Sequence, residues 1–237
     1  MSARPRRSPL QRTPRTGTMD ARRFGLVLRR LRAMQPRWNL SAIEGVNQTA
    51  GRDPFRILVA CVLSLRTRDE TTGPAAQRLF AVASTPPALL ALSEQRIASL
   101  VYPVAFYRRK ATALRRICSQ LLERHEGHVP SDLDALLALP GVGRKTANLV
   151  RTVGFGLPGI CVDTHVHRIA NRLGFVATRT PAETEAALRA RLPRRHWIGL
   201  NDLLVTFGQN VCHPTSPRCS SCPVAALCPR RGVRRSR

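Results

Sequence analysis

The sequence predicts an all-α protein. Apolar residues recur at spacings of three and four in eight segments, and no convincing alternation of apolar and polar residues indicates a strand. Short links that contain proline or glycine separate these segments. At 237 residues, 43% of them hydrophobic, the chain is long enough to form one large domain or two small ones that share a core.

The predicted helices follow one another along the chain after a polar start. Their periodicity places them at 24–33, 54–65, 74–83, 106–122, 144–153, 163–173, 182–191 and 197–208. Pro86-Pro87, Pro140-Gly141 and Gly174 interrupt the periodic pattern and are interpreted as links.

Both ends of the chain are basic and poor in apolar residues. Residues 1–23 are rich in arginine, proline, serine and threonine with one acid, Asp20, and are expected to be disordered. They could form a phosphate-binding arm, whereas their prolines disfavour the amphipathic helix of a transit peptide. The arginine-rich tail 231–237 is expected to be loose and to lie near DNA.

The net charge of +25 indicates a polyanionic partner. Nucleic acid is the first candidate, and a membrane surface is a weaker one. No apolar run approaches the roughly 20 residues that a membrane span requires, and no secretory signal pattern is present. We therefore expect a monomer in a bacterial-type cytosol, associated with the nucleoid.

Lysine is nearly absent from the basic residues. Of the 39, only Lys110 and Lys145 are lysines, and the remaining 37 are arginines. Arginine keeps its proton at physiological pH, whereas a buried or electrostatically crowded lysine can supply a neutral amine. A lysine is therefore expected where the chemistry requires an amine, although chance or packing could also leave two lysines.

Lys145 lies in a glycine-containing link, LPGVGRKTA at 139–147. Pro140 and Gly141 suit a turn, and Gly143 would let a phosphate approach the unpaired N–H groups of the next helix. A Gly-x-Gly turn alone is also typical of a plain tight connection. The whole nine-residue string, however, closely resembles the helix–hairpin–helix motif of the endonuclease III family of DNA glycosylases.

The same family places an aspartate in a Val-Asp-Thr-His context after the hairpin, and residues 162–165 match it. The resemblance covers roughly 24–230 and implies that Lys145 is the nucleophile and Asp163 the essential carboxylate. By its position alone, Asp163 also suits the N-cap of the following helix, and both roles can hold together. Lys145 lies near arginines in the first turn of a helix, where its ammonium form is disfavoured.

The resemblance implies a reaction as well as a fold. The amine would attack the sugar C1′, the base would leave, and the resulting Schiff base would allow β-elimination of the 3′ phosphate. Asp163 would offset the developing positive charge and help to move protons. The expected protein is a bifunctional glycosylase and AP lyase of base excision repair that removes oxidised pyrimidines from duplex DNA and also acts at abasic sites.

The seven cysteines fall into two groups. Three lie in apolar helical patterns and are expected to be buried: Cys61, Cys118 and Cys161. Four are crowded with the spacing C-x6-C-x2-C-x5-C, which indicates a metal site: Cys212, Cys219, Cys222 and Cys228. Zinc is the alternative, although cysteine-only zinc sites usually contain two C-x2-C pairs. The spacing also matches the cluster loop of the endonuclease III family, which implies a [4Fe–4S] cluster on all four.

Two segments resemble the parts of this family that open the duplex. The loop after its first long helix often reads Leu-Ser-x-Gln, with glutamine filling the gap left by the flipped base, and Arg66 takes that place here. Residues 104–108 resemble its wedge loop and make Phe106 the inserted side chain, with a core residue as the alternative. Lys110 is interpreted as a phosphate contact or a solvated charge. The other expected DNA contacts are Gly141, Gly143, Arg144, His165 and Arg218.

The implied architecture is a helical barrel at 47–157 and a second lobe formed by 24–46 with 158–230, with DNA between them. Two rival functions remain. A monofunctional relative that removes mismatched adenine usually lacks the hairpin lysine and uses a glutamate on the first long helix, but no acid lies between Asp53 and Asp69. A non-catalytic DNA-binding module would not require Lys145 together with Asp163.

Overall fold

The computed structural model describes residues 19–237, which form twelve α-helices and no strand. The predicted all-α class is therefore confirmed. The helices are α1 Ala21–Met34, α2 Ala42–Ala50, α3 Pro54–Ser64, α4 Asp69–Val82, α5 Pro86–Ala91, α6 Glu94–Val101, α7 Tyr107–His125, α8 Leu133–Leu137, α9 Arg144–Leu149, α10 Thr164–Arg172, α11 Pro181–Arg191 and α12 Leu200–Asn210. A π turn, Val150–Gly154, extends α9.

Two hydrophobic cores divide the described chain into two lobes. The first core contains residues of α2 to α9 and centres on α3, whose residues 57–60 are fully buried. The second joins α1 to α10, α11 and α12, and in it the rings of Phe24 and Phe175 stack at a centroid distance of 4.1 Å. Burial of these apolar faces is the main stabilising contribution to each lobe.

Four helices lie outside the eight predicted segments. The helix–hairpin–helix resemblance implies α8, whereas nothing predicts α2, α5 and α6. Each begins with a hydroxyl side chain that accepts a hydrogen bond from a backbone N–H: Ser41, Thr85 and Ser93. Pro86-Pro87, interpreted as a link, occupies the first turn of α5, where proline costs no intrahelical hydrogen bond. These helices are short, with six to nine residues, which leaves little room for periodicity.

Three sequence-based boundaries are corrected by the structure. Residues 19–23 are not disordered, because Met19 is buried and Asp20 caps α1 through the Arg23 amide at 2.7 Å; residues 1–18 lie outside the described residues. Residues 42–46 were placed with the second lobe, but Val46 packs into the first core. The tail 231–237 is not loose, because the Arg237 amide donates to the Pro217 carbonyl at 2.8 Å.

Within residues 19–237, the helices are all too short or too polar to cross a bilayer.

Candidate active-site cleft

A cleft of about 880 Å³ lies between the two lobes and contains both residues expected to react. The first lobe contributes Lys145, together with Arg68 at the start of α4. The second contributes Asp163 and His165 from the start of α10. One cavity therefore brings together the side chains on which the predicted chemistry depends.

The hairpin presents Lys145 in the first turn of α9. Gly141 adopts φ +73°, a left-handed conformation that favours glycine. Gly143 has an extended backbone that any residue could adopt, and a Cβ placed there would meet nothing within 4 Å. Internal packing therefore does not require glycine at 143, and its missing side chain leaves the first N–H groups of α9 uncovered. Lys145 itself is exposed, whereas residues 146–149 are buried.

Asp163 caps α10. Its Oδ1 accepts hydrogen bonds from the amides of His165 at 2.9 Å and Val166 at 2.8 Å, which confirms the N-cap interpretation. Two residues earlier, the Cys161 thiol donates to the Lys145 carbonyl at 3.6 Å. The segment that carries Asp163 is thus anchored to the helix that carries Lys145.

His165 lines the cleft, half-buried, and is held by the second lobe. Its Nδ1 lies 3.1 Å from Nη2 of Arg168, and a Cβ added to Gly208 on α12 would come within 2.3 Å of the same nitrogen. Burial lowers the pKa of His165, although the nearby Asp163 carboxylate acts in the opposite direction. The close approach of α10 and α12 therefore fixes the ring at the edge of the cleft.

Arg66 and Phe106 lie together on the surface of the first lobe. Both are exposed and left-handed, with φ of +55° and +57°, and the Arg66 guanidinium carbon lies 5.9 Å from the Phe106 ring centroid. Phe106 is 53% exposed, so the alternative that it is a core residue is wrong.

Lys110 is neither a phosphate contact nor a solvated charge, which corrects the sequence interpretation. It is 7% exposed, and its Nζ donates to the carbonyls of Leu63 and Leu65 and to Oγ1 of Thr67, at 2.7, 2.6 and 3.1 Å. Burial lowers its pKa to about 8. The burial of Lys110 depends on a tertiary contact between distant helices. The sequence gives no sign of it, because the residues next to Lys110 are basic.

The two expected arginine contacts are both exposed. Arg144 lies at the start of α9 with its guanidinium 3.8 Å from a Glu185 carboxylate oxygen. Because the arginine of this pair is largely exposed and the separation is long, the pair contributes only about 0–1 kcal/mol, so a phosphate could displace it. Arg218 projects from the cysteine-containing loop, where its amide donates to the Val211 carbonyl at 3.0 Å.

The cysteines separate as the sequence predicts. Three are buried, Cys61, Cys118 and Cys161, and burial raises the pKa of each thiol. Four line one pocket in the second lobe, Cys212, Cys219, Cys222 and Cys228. Across residues 19–237, no three His, Cys, Asp or Glu side chains converge closely enough to hold a single metal ion.

The guanidinium of Arg172 organises the wall of this cysteine pocket. The residue is 9% exposed, and its guanidinium donates to the carbonyls of His213 at 2.6 Å and Pro214 at 2.5 Å, and to the Cys212 sulfur at 3.4 Å. The Arg230 amide lies 3.3 Å from the Cys228 sulfur. Donors that face the sulfurs would stabilise negative charge on them.

Sequence reasoning missed a polar network that joins the lobes along the cleft wall. Asp69 on α4 accepts hydrogen bonds from the Ala42 amide and from Nε2 of Gln209, both at 3.0 Å. Asp202 on α12 accepts from the Ser41 hydroxyl at 2.8 Å, and burial raises its pKa. The partners are separated by up to 161 residues, so local patterns contain no signal for these contacts.

Comparisons with known proteins agree with this geometry. Residues 59–194 match the family model described as HhH-GPD superfamily base excision DNA repair protein. Endonuclease III of Thermotoga maritima is 49% identical over 170 residues, which are 72% of this chain and 80% of that protein. The chain belongs to the endonuclease III family. Against the chloroplastic endonuclease III homolog 1 of Arabidopsis thaliana the identity is 45%, over 74% of this chain but only 48% of that longer protein.

Two solved structures of endonuclease III bound to DNA share the fold. A non-covalent complex superposes with a TM-score of 0.78 at 33% identity, covering 89% of this chain and 96% of the other. A trapped covalent intermediate, described as an estranged-adenine complex, gives 0.76 at 34% identity with the same coverage. Membership of the family thus extends to the arrangement of both lobes.

Substitutions of Asp163 should separate its capping role from its charge. Asp163→Ala removes both hydrogen bonds to the start of α10 and should lower the free energy of unfolding by about 1 kcal/mol. Asp163→Asn keeps an acceptor in the same place and should stay within about 0.5 kcal/mol of the wild type. Urea unfolding followed by circular dichroism measures both, and equal losses in the two variants would contradict the capping interpretation.

Proposed function

We propose that this protein is a bifunctional DNA glycosylase and AP lyase of base excision repair that removes oxidised pyrimidines from duplex DNA. The observation that carries the proposal is that Lys145 and Asp163 line one cleft. Lys145 lies in the first turn of α9, and Asp163 is the N-cap of α10. Its relatives named endonuclease III, and the covalent DNA intermediate trapped in one of them, support the same chemistry.

Lys145 is the nucleophile in this proposal. Its neutral amine attacks C1′ of the damaged nucleotide, the C1′–N bond breaks, and the base leaves with the bonding electrons and a proton. The sugar ring then opens at the C1′–O4′ bond, with a proton delivered to O4′, and the resulting iminium on C1′ withdraws electrons, so that a proton leaves C2′ and the 3′ phosphate departs. Base removal and strand nicking therefore share one amine.

Asp163 supplies a carboxylate beside the reacting sugar. Its hydrogen bonds from two backbone amides engage Oδ1 and leave Oδ2 outside the cap, in a residue that lines the cleft. This oxygen offsets positive charge as it develops on the sugar and accepts or returns the transferred protons.

Different parts of the first lobe contact the DNA backbone and the space that the flipped base leaves in the duplex. Gly141 and Gly143 let a phosphate reach the uncovered N–H groups of α9, with Arg144 released from its weak pair to join it. Arg66 fills the space that the flipped base vacates, and Phe106 is inserted between base steps. His165 borders the cleft, and Arg218 lies where it can meet a more distant phosphate.

The cysteine pocket fits a [4Fe–4S] cluster. Its four sulfurs line one cavity, and their sequence contains a single C-x2-C pair, whereas cysteine-only zinc sites usually contain two. Arg172 and the Arg230 amide place donors against the sulfurs that a cluster would make anionic. When bound, the cluster would cross-link the 212–228 loop, which Arg172 of α10 contacts by hydrogen bonds, and the chemistry at Lys145 needs no electron from it. Cys212, Cys219, Cys222 and Cys228 would be its ligands.

The rival function of mismatched-adenine removal is less well supported. A glutamate on the first long helix of the barrel lobe would be expected, but α3 contains no acid from Pro54 to Ser64. Lys145 would also have no covalent role in a monofunctional enzyme.

Replacing Lys145 should abolish covalent chemistry. Lys145→Gln and Lys145→Arg remove the neutral amine, so single-turnover excision of thymine glycol should fall by about 10³-fold or more, and borohydride should trap no adduct on abasic DNA. Arg116→Gln, which removes an exposed charge on α7 away from the cleft, is the matched control and should behave like the wild type. Undiminished excision by either Lys145 variant would contradict the proposed mechanism.

The cluster assignment predicts a visible colour that depends on the C-terminal cysteines. Protein purified in air should be brown and contain about four iron and four sulfide per chain. Cys222→Ser should lose colour and iron, whereas Cys118→Ala, at a buried cysteine of the first lobe, should retain both. A colourless wild-type protein that binds zinc would establish the zinc alternative instead.

A further inference from the structure

A buried lysine joins the two surface segments that carry Arg66 and Phe106. Lys110 lies on α7 four residues after Phe106, and its ammonium reaches across to the end of α3, one to three residues from Arg66. The three acceptors are the Leu63 and Leu65 carbonyls and the Thr67 hydroxyl. This side chain is outside the catalytic cleft and has no role in the mechanism above.

The three contacts account for lysine at this position in a chain that otherwise uses arginine. An ammonium has three donors on one atom, and here each donor has one acceptor. The planar guanidinium of arginine spreads its five donors over three nitrogens and is too large for the same point. The position is also favourable for a cation, because Leu63 and Leu65 mark the C-terminus of α3, where carbonyls lack helical partners.

The two segments that the Lys110 ammonium joins both contain a residue with an unfavourable backbone conformation. Arg66 and Phe106 are both non-glycine residues at positive φ, where side chains crowd the backbone. Phe106 starts α7 without a side-chain cap, and the Lys110 amide donates to its carbonyl at 3.0 Å. Strained backbones of this kind persist where surrounding contacts fix them.

We propose that Lys110 is a positioning residue that holds Arg66 and Phe106 as one rigid unit, and that this unit inserts into the duplex when the damaged base is flipped out. The inference rests on the proposed function and deepens it, since it assigns the residue that orders the insertion step. Burial keeps the ammonium from water, and with its pKa lowered to about 8 it remains mostly charged at neutral pH. Without it, the α3 end and the α7 start lose their shared anchor.

The test compares a substrate that requires base flipping with one that does not. The first is a duplex that contains thymine glycol beside 2-aminopurine, whose fluorescence reports unstacking; the second is a single-stranded oligonucleotide with an abasic site. Lys110→Met should slow single-turnover excision from the duplex, and the rise of 2-aminopurine fluorescence, by about 10- to 100-fold. Borohydride trapping on the single strand should stay within about threefold of the wild type, because no gap has to be filled.

Arg109→Met is the matched control. It removes one exposed positive charge from the neighbouring position and should leave both reactions within about threefold of the wild type. Lys110→Arg keeps the charge without the three-point contact and should be slowed like Lys110→Met. Thr67→Val removes one acceptor at nearly constant shape and should slow duplex excision by about tenfold, while trapping on the single strand stays within about threefold of the wild type; it decides the case if Lys110→Met does not fold.

The possible outcomes separate the two proposals. Equal losses on both substrates, no loss on either, or an equal loss in Arg109→Met would overturn the role of Lys110. If the wild-type protein itself neither excises thymine glycol nor forms an adduct, the proposed function fails instead.

Discussion

The proposed chemistry depends on one structural constraint, which is that two helix N-termini from different lobes open onto the same cleft. The hairpin starts α9 in the first lobe, and a short segment then leads to α10 in the second. The Cys161 contact with the Lys145 carbonyl anchors that segment to α9. Lys145 lies in the first turn of α9 and Asp163 at the N-cap of α10, so both side chains line the same cavity.

The structure suggests why the chain uses arginine for nearly all of its positive charge. Positive charge is needed widely for a polyanionic partner, and arginine supplies it without losing its proton. Lysine remains at two positions with different physical demands. In the proposed mechanism Lys145 serves as an amine nucleophile, and Lys110 is a compact group with three donors on one atom.

Much of the fold and site could be predicted from the sequence because the signals are local. The hairpin string and the Asp163 context each lie within a few residues, and the four cysteines lie within 212–228, so their resemblance to the family is visible in the sequence. Periodicity likewise identifies the longer helices, whereas α2, α5 and α6 were missed because they are short. Roles set by distant partners were out of reach, as shown by Lys110, which reaches residues up to 47 positions away, and by the bonds of Asp69 and Asp202 between the lobes.

The most direct test of the central claim is to locate the covalent adduct on the chain. The protein is reduced with borohydride on abasic DNA and digested with nuclease and trypsin, and the peptides are analysed by mass spectrometry. Trypsin cuts after Arg144 and Arg151 but not after a modified lysine, so the account predicts that the sugar remnant lies on the peptide 145–151. A remnant on the peptide 110–115, which contains the other lysine, or on the N-terminal amine would contradict it.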